Sequence, residues 1–278
     1  MTRALALRRR RLIVLAPLVL ISLGATATEA MTADDILDAI DLAEDQLVEG
    51  GLLATVRIEN EHSDGTTSGY TVYGVSIPSR RLMYFAEPFL DEGITYLFVD
   101  EVVEGRTETR FWLYLPVFGL VKELVSEEDL GGGFAGSSLS LSDVGGEETR
   151  ADYDTVILRQ ETLTVGEDER TAYVLEMTRK PEADRDSARV MMWVDAESFT
   201  TLKVESYNVA GNLASRMDVL VLVEFDGQTT WASLRSIDES GNQSTFTYAN
   251  RRRPETVISD GLFTADALGS FVPSDWGF

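Results

Sequence analysis

The chain is 278 residues long, 44% hydrophobic and 26% charged, with a formal net charge of −23 and no cysteine. The apolar fraction supports a packed core and excludes a disordered chain. The charge repels nucleic acid and anionic lipid headgroups at long range, and the absence of thiols excludes disulfides, Cys-ligated metals and a lipid-modified cysteine. Only three lysines, Lys122, Lys180 and Lys203, stand against 47 acidic residues, a balance suited to solubility in brine.

In chain order, Arg8 to Arg11 form a cationic block and Leu12 to Gly24 an apolar run, followed by Ala25-Thr26-Ala27. This is the order of a secretory signal peptide, cleaved near Ala27 or Ala30. The run of about 13 residues falls short of the roughly 20 that a membrane-spanning helix needs. Residues 1–30 are therefore expected to be removed on export to the periplasm, leaving 31–278 as a single domain. The next stretch, TADDILDAIDLAEDQLVEG, spaces Ile36, Ile40, Ala43 and Leu47 as one helical stripe. Thr32 is placed to cap its start, with Asp34 and Asp35 in the first turn, and Gly50 and Gly51 end it.

Almost everything afterwards reads as strand. LLATVRIEN, YTVYGVSI, RLMYFAE, ITYLFVDEVV and RFWLYLP come first. The later set runs from DTVILRQETLTV through SARVMMWVD and SRMDVLVLVEF to STFTYANRRR. Turn signals separate them and no helical pattern intervenes, which predicts one antiparallel meander. Some ten to eleven strands would be too many for a flat sheet, so the sheet should curl. The closing segment DGLFTADAL predicts a short helix or turn near Thr264 to Leu268.

Gly131, Gly133 and Gly136 in GGGFAGSSLSLSD match the G-x-G-x-x-G spacing of a dinucleotide turn. That chemistry needs a strand before the glycines and a helix after them. Here VSEEDL precedes, and Leu139 and Leu141 alternate with serines afterwards. The stretch reads as a glycine-permitted loop leading into an extended segment. His62, the only histidine, lies in the turn ENEHSDG; adjacent His62, Ser63 and Asp64 cannot face one another as a triad. One histidine and no cysteine leave no zinc hydrolase site, and the acidic run 182–187 lacks the calcium-loop order. No catalytic residue, metal ligand or cofactor is expected. Arg251, Arg252 and Arg253 are the one basic cluster of the mature chain. They suit either a lipid phosphate or acidic partner, or a strand end balanced by neighbouring acids.

Several strands are apolar on both faces: Phe111 to Leu115 around Trp112 and Tyr114, and Val190 to Val194 around Met191 and Trp193. Such strands must be covered on both sides. Periodicity alone fits a tightly filled core and a partly unfilled apolar cavity equally well.

Pro88, Gly93 and Leu97, then Trp112-Leu113-Tyr114-Leu115-Pro116, then Phe134, Gly136, Ser137, Ser140 and Asp143, occur in an order that resembles the LolA-like outer membrane lipoprotein-sorting protein family. Tyr153, the Trp193-Val194-Asp195 strand end and the closing Phe263 to Leu268 continue the resemblance. It implies a mainly β (α+β) fold: a strongly curved antiparallel half-barrel, closed by the N-terminal helix and short helices around an apolar cavity. It implies a non-enzymatic periplasmic carrier of a lipid or lipoprotein acyl chain between membranes. The partners would be an inner-membrane transporter or an outer-membrane acceptor, and no nucleic acid. The alternative within this fold is a sensor or scaffold that binds a membrane protein through the same curved sheet. Trp112, Tyr114, Met191 and Trp193 are the expected lipid-lining residues.

Overall fold

The first described element is the helix its capping residues require. In the computed structural model α1 spans Ala33–Val48. Thr32 Oγ1 accepts from the Asp35 N–H at 3.1 Å while the Asp35 carboxylate accepts from the Thr32 N–H at 2.8 Å. Ile36, Leu37 and Ile40 are buried on one side. The structure describes residues 31–278 except 104–105, 126–132, 142–149 and 184. The expected signal peptide lies outside the described residues, as do Gly131 and Asp143. Among the described residues no helix is long and apolar enough to cross a membrane.

Thirteen strands follow: β1 (Leu52–Glu61), β2 (Thr67–Ile77), β3 (Arg80–Glu87), β4 (Thr95–Val103), β5 (Arg106–Leu115), β6 (Leu120–Leu124), β7 (Tyr153–Val165), β8 (Asp168–Arg179), β9 (Arg189–Asp195), β10 (Thr201–Tyr207), β11 (Leu213–Phe225), β12 (Gln228–Asp238) and β13 (Gln243–Arg252). All pairings are antiparallel, in one sheet of order β6-β5-β4-β3-β2-β1-β13-β12-β11-β10-β9-β8-β7. Two expectations are corrected here. Thirteen strands replace ten to eleven. A single meander is replaced by two, β1–β6 and β7–β13, joined where β1 pairs with β13 from Leu53↔Arg252 to Glu61↔Gln243. The sheet stays open, with β6 and β7 at its edges.

Register places side chains on two faces. One row runs Tyr70, Ile58, Phe246, Leu234 across β2, β1, β13 and β12. The next row on the same face runs Ser68, Asn60, Ser244, Ser236, Met217, Val204, Met192, Leu175 out to β8. We call this the inner face. On it α1 sets Ile36, Leu37 and Ile40 against Leu175 and Val194, with Ile157, Tyr173, Met192 and Phe199 around them. Each such aliphatic side chain contributes roughly 1.5–3 kcal/mol. The outer face of β1–β6 is covered by residues 258–278, through Ile258, Phe263, Leu268 and Phe271. A short helix at Ala265–Ser270 matches the closing helix expected from DGLFTADAL.

The other half of the sheet curls. β7 and β11 are separated by three strands, so on a flat sheet they would lie about 19 Å apart at the usual strand spacing. Yet a Cβ placed on Gly166, at the end of β7, would sit 3.1 Å from the Leu220 carbonyl oxygen on β11. The curl encloses Val165, Ala172, Val174, Met191, Trp193, Leu202 and Val219.

The arginine cluster proves structural. Arg253 donates to the carbonyls of Leu47, Glu49 and Gly51 at 2.8, 3.1 and 2.9 Å, satisfying the end of a helix that has no basic residue in its last turn. Arg252 donates to the Trp276 carbonyl and lies over the Phe278 ring, holding the C-terminal segment. Arg251 stacks 4.0 Å from the Tyr248 ring centroid and donates to the Trp231 carbonyl. Only Arg253 has a carboxylate partner among the described residues, Asp226 at 2.6 Å. Arg253→Ala is expected to lower the unfolding free energy by about 2–3 kcal/mol. Asp226→Ala, at the exposed end of the pair, should cost under about 1 kcal/mol. Urea denaturation of the two variants checks the difference.

Candidate functional site

The site is built on the inner face of β1–β5. Val56, Ile58, Val72, Met83, Phe85, Phe98 and Phe111 are buried there, with Tyr70, Tyr96 and Leu113 partly buried beside them. The aromatics interlock: Phe85 stands 5.6 Å from Tyr70 and 5.7 Å from Tyr96, and Phe98 stands 5.5 Å from Phe111, in edge-on or tilted pairs. β-branched and aromatic residues at alternate positions put this floor on one side of every strand.

The glycine-rich motif covers that floor. Residues Phe134–Gly136 form a single 3-10 turn. Phe134 is 2% exposed, with its ring 5.7 Å from Phe85 and 5.3 Å from Tyr96. Leu141 is buried and Leu139 partly buried against the same cluster. Gly133 bridges to Ser140, and the Phe134 N–H donates to the Leu139 carbonyl at 2.8 Å. A Cβ on Gly133 would lie 2.3 Å from the Ser137 carbonyl oxygen, so no side chain fits. These glycines therefore build a compact stopper. The loop expectation holds, whereas the segment expected to be extended is a closed turn.

Polar groups fasten the stopper. Ser68, Asn60, Ser244 and Ser236 form a row across four strands of the inner face. Asn60 Nδ2 donates to the Ala135 carbonyl at 2.9 Å and to Ser68 Oγ at 3.1 Å. The Ser138 N–H donates to Ser244 Oγ at 2.9 Å, and the Ser138 and Ser236 hydroxyls share a hydrogen bond. Asn60, Ser236 and Ser244 are all buried; a buried polar group is costly without such partners. Nothing in the sequence joins these four residues, which come from four separate strands.

Two open recesses border the sheet. One, of about 430 Å³, lies between the second half of α1 and the turns near 198 and 228, with Glu44, Gln46, Arg170, Glu197, Glu224 and Trp231 on its wall. The other, of about 640 Å³, is bounded by Glu59, Asn60, Ser68, Arg235 and Gln243. Both walls are largely polar. Among the described residues, Phe134, Leu139 and Leu141 fill the apolar surface over β1–β5.

The four expected lining residues fall into two groups. Trp112 and Tyr114 point to the outer face, packed against the cluster beneath the C-terminal segment. Arg110 lies 4.7 Å over the Trp112 ring, and a Cβ on Gly269 would meet the Tyr114 ring at 3.1 Å. Met191 and Trp193 are buried inside the β7–β11 curl. The Trp193 indole N–H donates to Glu161 Oε1 at 2.6 Å and Lys203 Nζ sits 4.3 Å over its ring. The structure does not bring the two pairs together. His62 sits in the β1–β2 turn, where its N–H donates to the Thr66 carbonyl.

Glu44 on α1 and Asp100 on β4 both feel the charge of Arg81 on β3. Glu44 stands on the exposed side of α1, and desolvation raises its carboxyl pKa against the pull of Arg81. Burial likewise raises Asp100, despite the Thr109 hydroxyl donating to it at 2.7 Å. Both groups hold their protons more tightly folded than unfolded. Their stabilising contribution is present below the ordinary values of 4.5 and 3.8 and is lost as pH rises through the raised ones. Asp100→Asn, which keeps an acceptor for Thr109, is therefore expected to raise the melting temperature at pH 7 and leave it unchanged at pH 3. Thermal scans at the two pH values check this.

A family model described as "Uncharacterized protein" matches residues 78–270, more than half of the chain. No curated protein matches. Among solved structures, a DUF1329 family protein from Desulfovibrio piger is 21% identical, covering 84% of this chain and 98% of its own, with a TM-score of 0.70. A domain described as an outer membrane lipoprotein-sorting protein, from Vibrio parahaemolyticus, is 18% identical with a TM-score of 0.67, covering 83% of this chain and 97% of its own. A LolA superfamily protein from Nitrosomonas europaea is 22% identical with a TM-score of 0.63, covering 85% of this chain and 99% of its own. The motif order, the open antiparallel sheet and these likenesses agree: the chain belongs to the family whose model matches residues 78–270, and its fold is LolA-like.

Proposed function

We propose that the protein is a non-enzymatic periplasmic carrier that takes up the acyl chain of a lipid or lipoprotein on its inner face and moves it between membranes. The observation that carries this reading is the continuous aromatic and aliphatic floor from Val56 to Phe111, set in a LolA-like sheet. Burial of each acyl methylene there would contribute about 0.8 kcal/mol. An apolar floor of this extent suits a hydrocarbon chain. The leader read at residues 1–30 supports export, and the acidic surface keeps the carrier off anionic membranes between deliveries. Loading and release would then fall to an inner-membrane transporter and an outer-membrane acceptor.

The test is a titration of the mature chain with dansyl-undecanoic acid. The expected result is saturable fluorescence enhancement that unlabelled palmitate reverses. Enhancement that never saturates, or that palmitate leaves unchanged, would remove the carrier reading.

A further inference from the structure

We propose that Arg251 is the headgroup site of this carrier: its guanidinium receives the carboxylate or phosphate at the end of an acyl chain that lies on the inner face. This rests on the carrier reading and adds the class of cargo, an acyl lipid with an anionic end.

Three observations converge. First, Arg251 is a sheltered cation without a counter-charge. Arg253 has Asp226, and Arg252 turns to the outer face toward Phe278. Arg251 lies on the inner face, opposite Ala54, and no carboxylate pairs with it among the described residues. Tyr248 and Trp231 flank it, with ring centroids at 4.0 and 5.8 Å. One N–H group donates to the Trp231 carbonyl, while Nε is buried and meets no acceptor among the described residues. Desolvation pulls its pKa below the ordinary arginine value. A charge taken out of water and left unpaired is costly, and an oxyanion is the partner that the guanidinium fork fits. Arg81, on the same face, shows the contrast, since Glu44 and Asp100 share its field.

Second, register puts Arg251 in one inner-face row with Ala54, Gly74, Met83, Tyr96 and Leu113. The last three belong to the apolar floor. One row therefore carries a cation at one end and hydrocarbon contacts at the other, which is the polarity order of an acyl lipid. Third, the interval between them is low. Ala54 and Gly74 are buried but small. A Cβ on Gly74 would come within 4 Å of nothing among the described residues except the Ala54 carbonyl oxygen, at 3.6 Å. Arg251 and Met83 are three strand spacings apart, about 14 Å, and an acyl chain can cross that step without meeting a large side chain. The recess that Trp231 also borders carries Glu44, Glu197 and Glu224. An anion therefore reaches Arg251 from the floor and not from that recess.

The test is displacement of N-phenyl-1-naphthylamine, an uncharged fluorescent probe, from the full mature chain at pH 8. Dodecanoate and dodecyl phosphate should each displace it at about tenfold or more lower concentration than dodecanol. The tighter of the two tells whether a fatty-acid or a phospholipid end is preferred. Arg251→Gln should bring both anions to the level of dodecanol. If that variant does not fold, Arg251→Lys decides: its ammonium keeps the charge beside Tyr248 but loses the fork, and it should cut the advantage of the anions several-fold. Anions no better than dodecanol in wild type, or an advantage undiminished in the folded variant, would overturn the headgroup site, while displacement by dodecanol leaves the carrier standing. No displacement by any of the three would overturn the carrier reading and this proposal with it.

Discussion

Asp195→Ala is expected to lower the unfolding free energy by about 3–5 kcal/mol, the range for removing one partner of a buried ion pair. Asp195 ends β9 and is 1% exposed. One carboxylate oxygen pairs with Arg170 Nε at 2.5 Å, and the other accepts the N–H groups of Glu197 and Ser198 at 2.7 and 3.2 Å. Alanine leaves the Arg170 charge partly enclosed and unpaired, and it frees the turn. That turn delivers Phe199, in a left-handed conformation, against the apolar side of α1. The damage should therefore spread to helix docking. Asp195→Asn keeps an oxygen for the two N–H groups but turns its NH2 toward Arg170, so it loses the ion pair while holding the turn and should cost less than alanine. Urea unfolding of both variants provides the comparison; equal losses, or a loss under about 1 kcal/mol for alanine, would show that the pair does not organise this corner.

Phe85→Gln should have the second large effect, and on two readouts. Phe85 is 3% exposed and touches the rings of Tyr70, Tyr96 and Phe134. Losing the ring and burying an amide should cost about 3–5 kcal/mol in stability. The same amide in the floor should weaken dansyl-undecanoic acid binding about tenfold or more, since an acyl chain cannot satisfy it. Trp112→Ala provides the contrast. It removes a half-buried ring from the outer face, under the C-terminal segment, and should leave probe affinity within about twofold, as expected for a residue outside the contact. The reverse pattern would place the acyl site beneath that segment, beside Trp112 and Tyr114.

Much of the architecture is local and therefore legible. Thr32, Asp35 and the Ile36–Ile40 spacing define α1, and alternating aromatic strands define most of the sheet. β6 is missed because LVKEL buries only Leu124 fully and lies at an edge. The β1–β13 junction carries no sequence signal: it pairs residues 182 to 199 positions apart, and register alone reveals it. Two-sided apolar strands left the position of the binding face open. Structure separates the sides, giving Trp112 and Tyr114 to the C-terminal segment, Met191 and Trp193 to the curl, and Phe85, Tyr96 and Phe98 to the inner face. The stopper had one sequence signal, Phe134, a bulky aromatic amid glycines and serines. Its polar fastening had none, because Asn60, Ser68, Ser236 and Ser244 are ordinary strand residues until register aligns them. The arginine cluster misleads in another way. Its charges answer backbone carbonyls at a helix end and a chain end, needs that composition cannot display.

The central claim is that an acyl chain travels on this protein. Native mass spectrometry of the chain recovered from the periplasm of its own cells, before and after organic extraction, tests it most directly. The account predicts a discrete mass excess that the solvent removes and that is recovered as lipid or lipopeptide. A polypeptide partner retained through extraction, with no lipid released, would contradict it and favour a scaffold that uses the same sheet to hold a membrane protein.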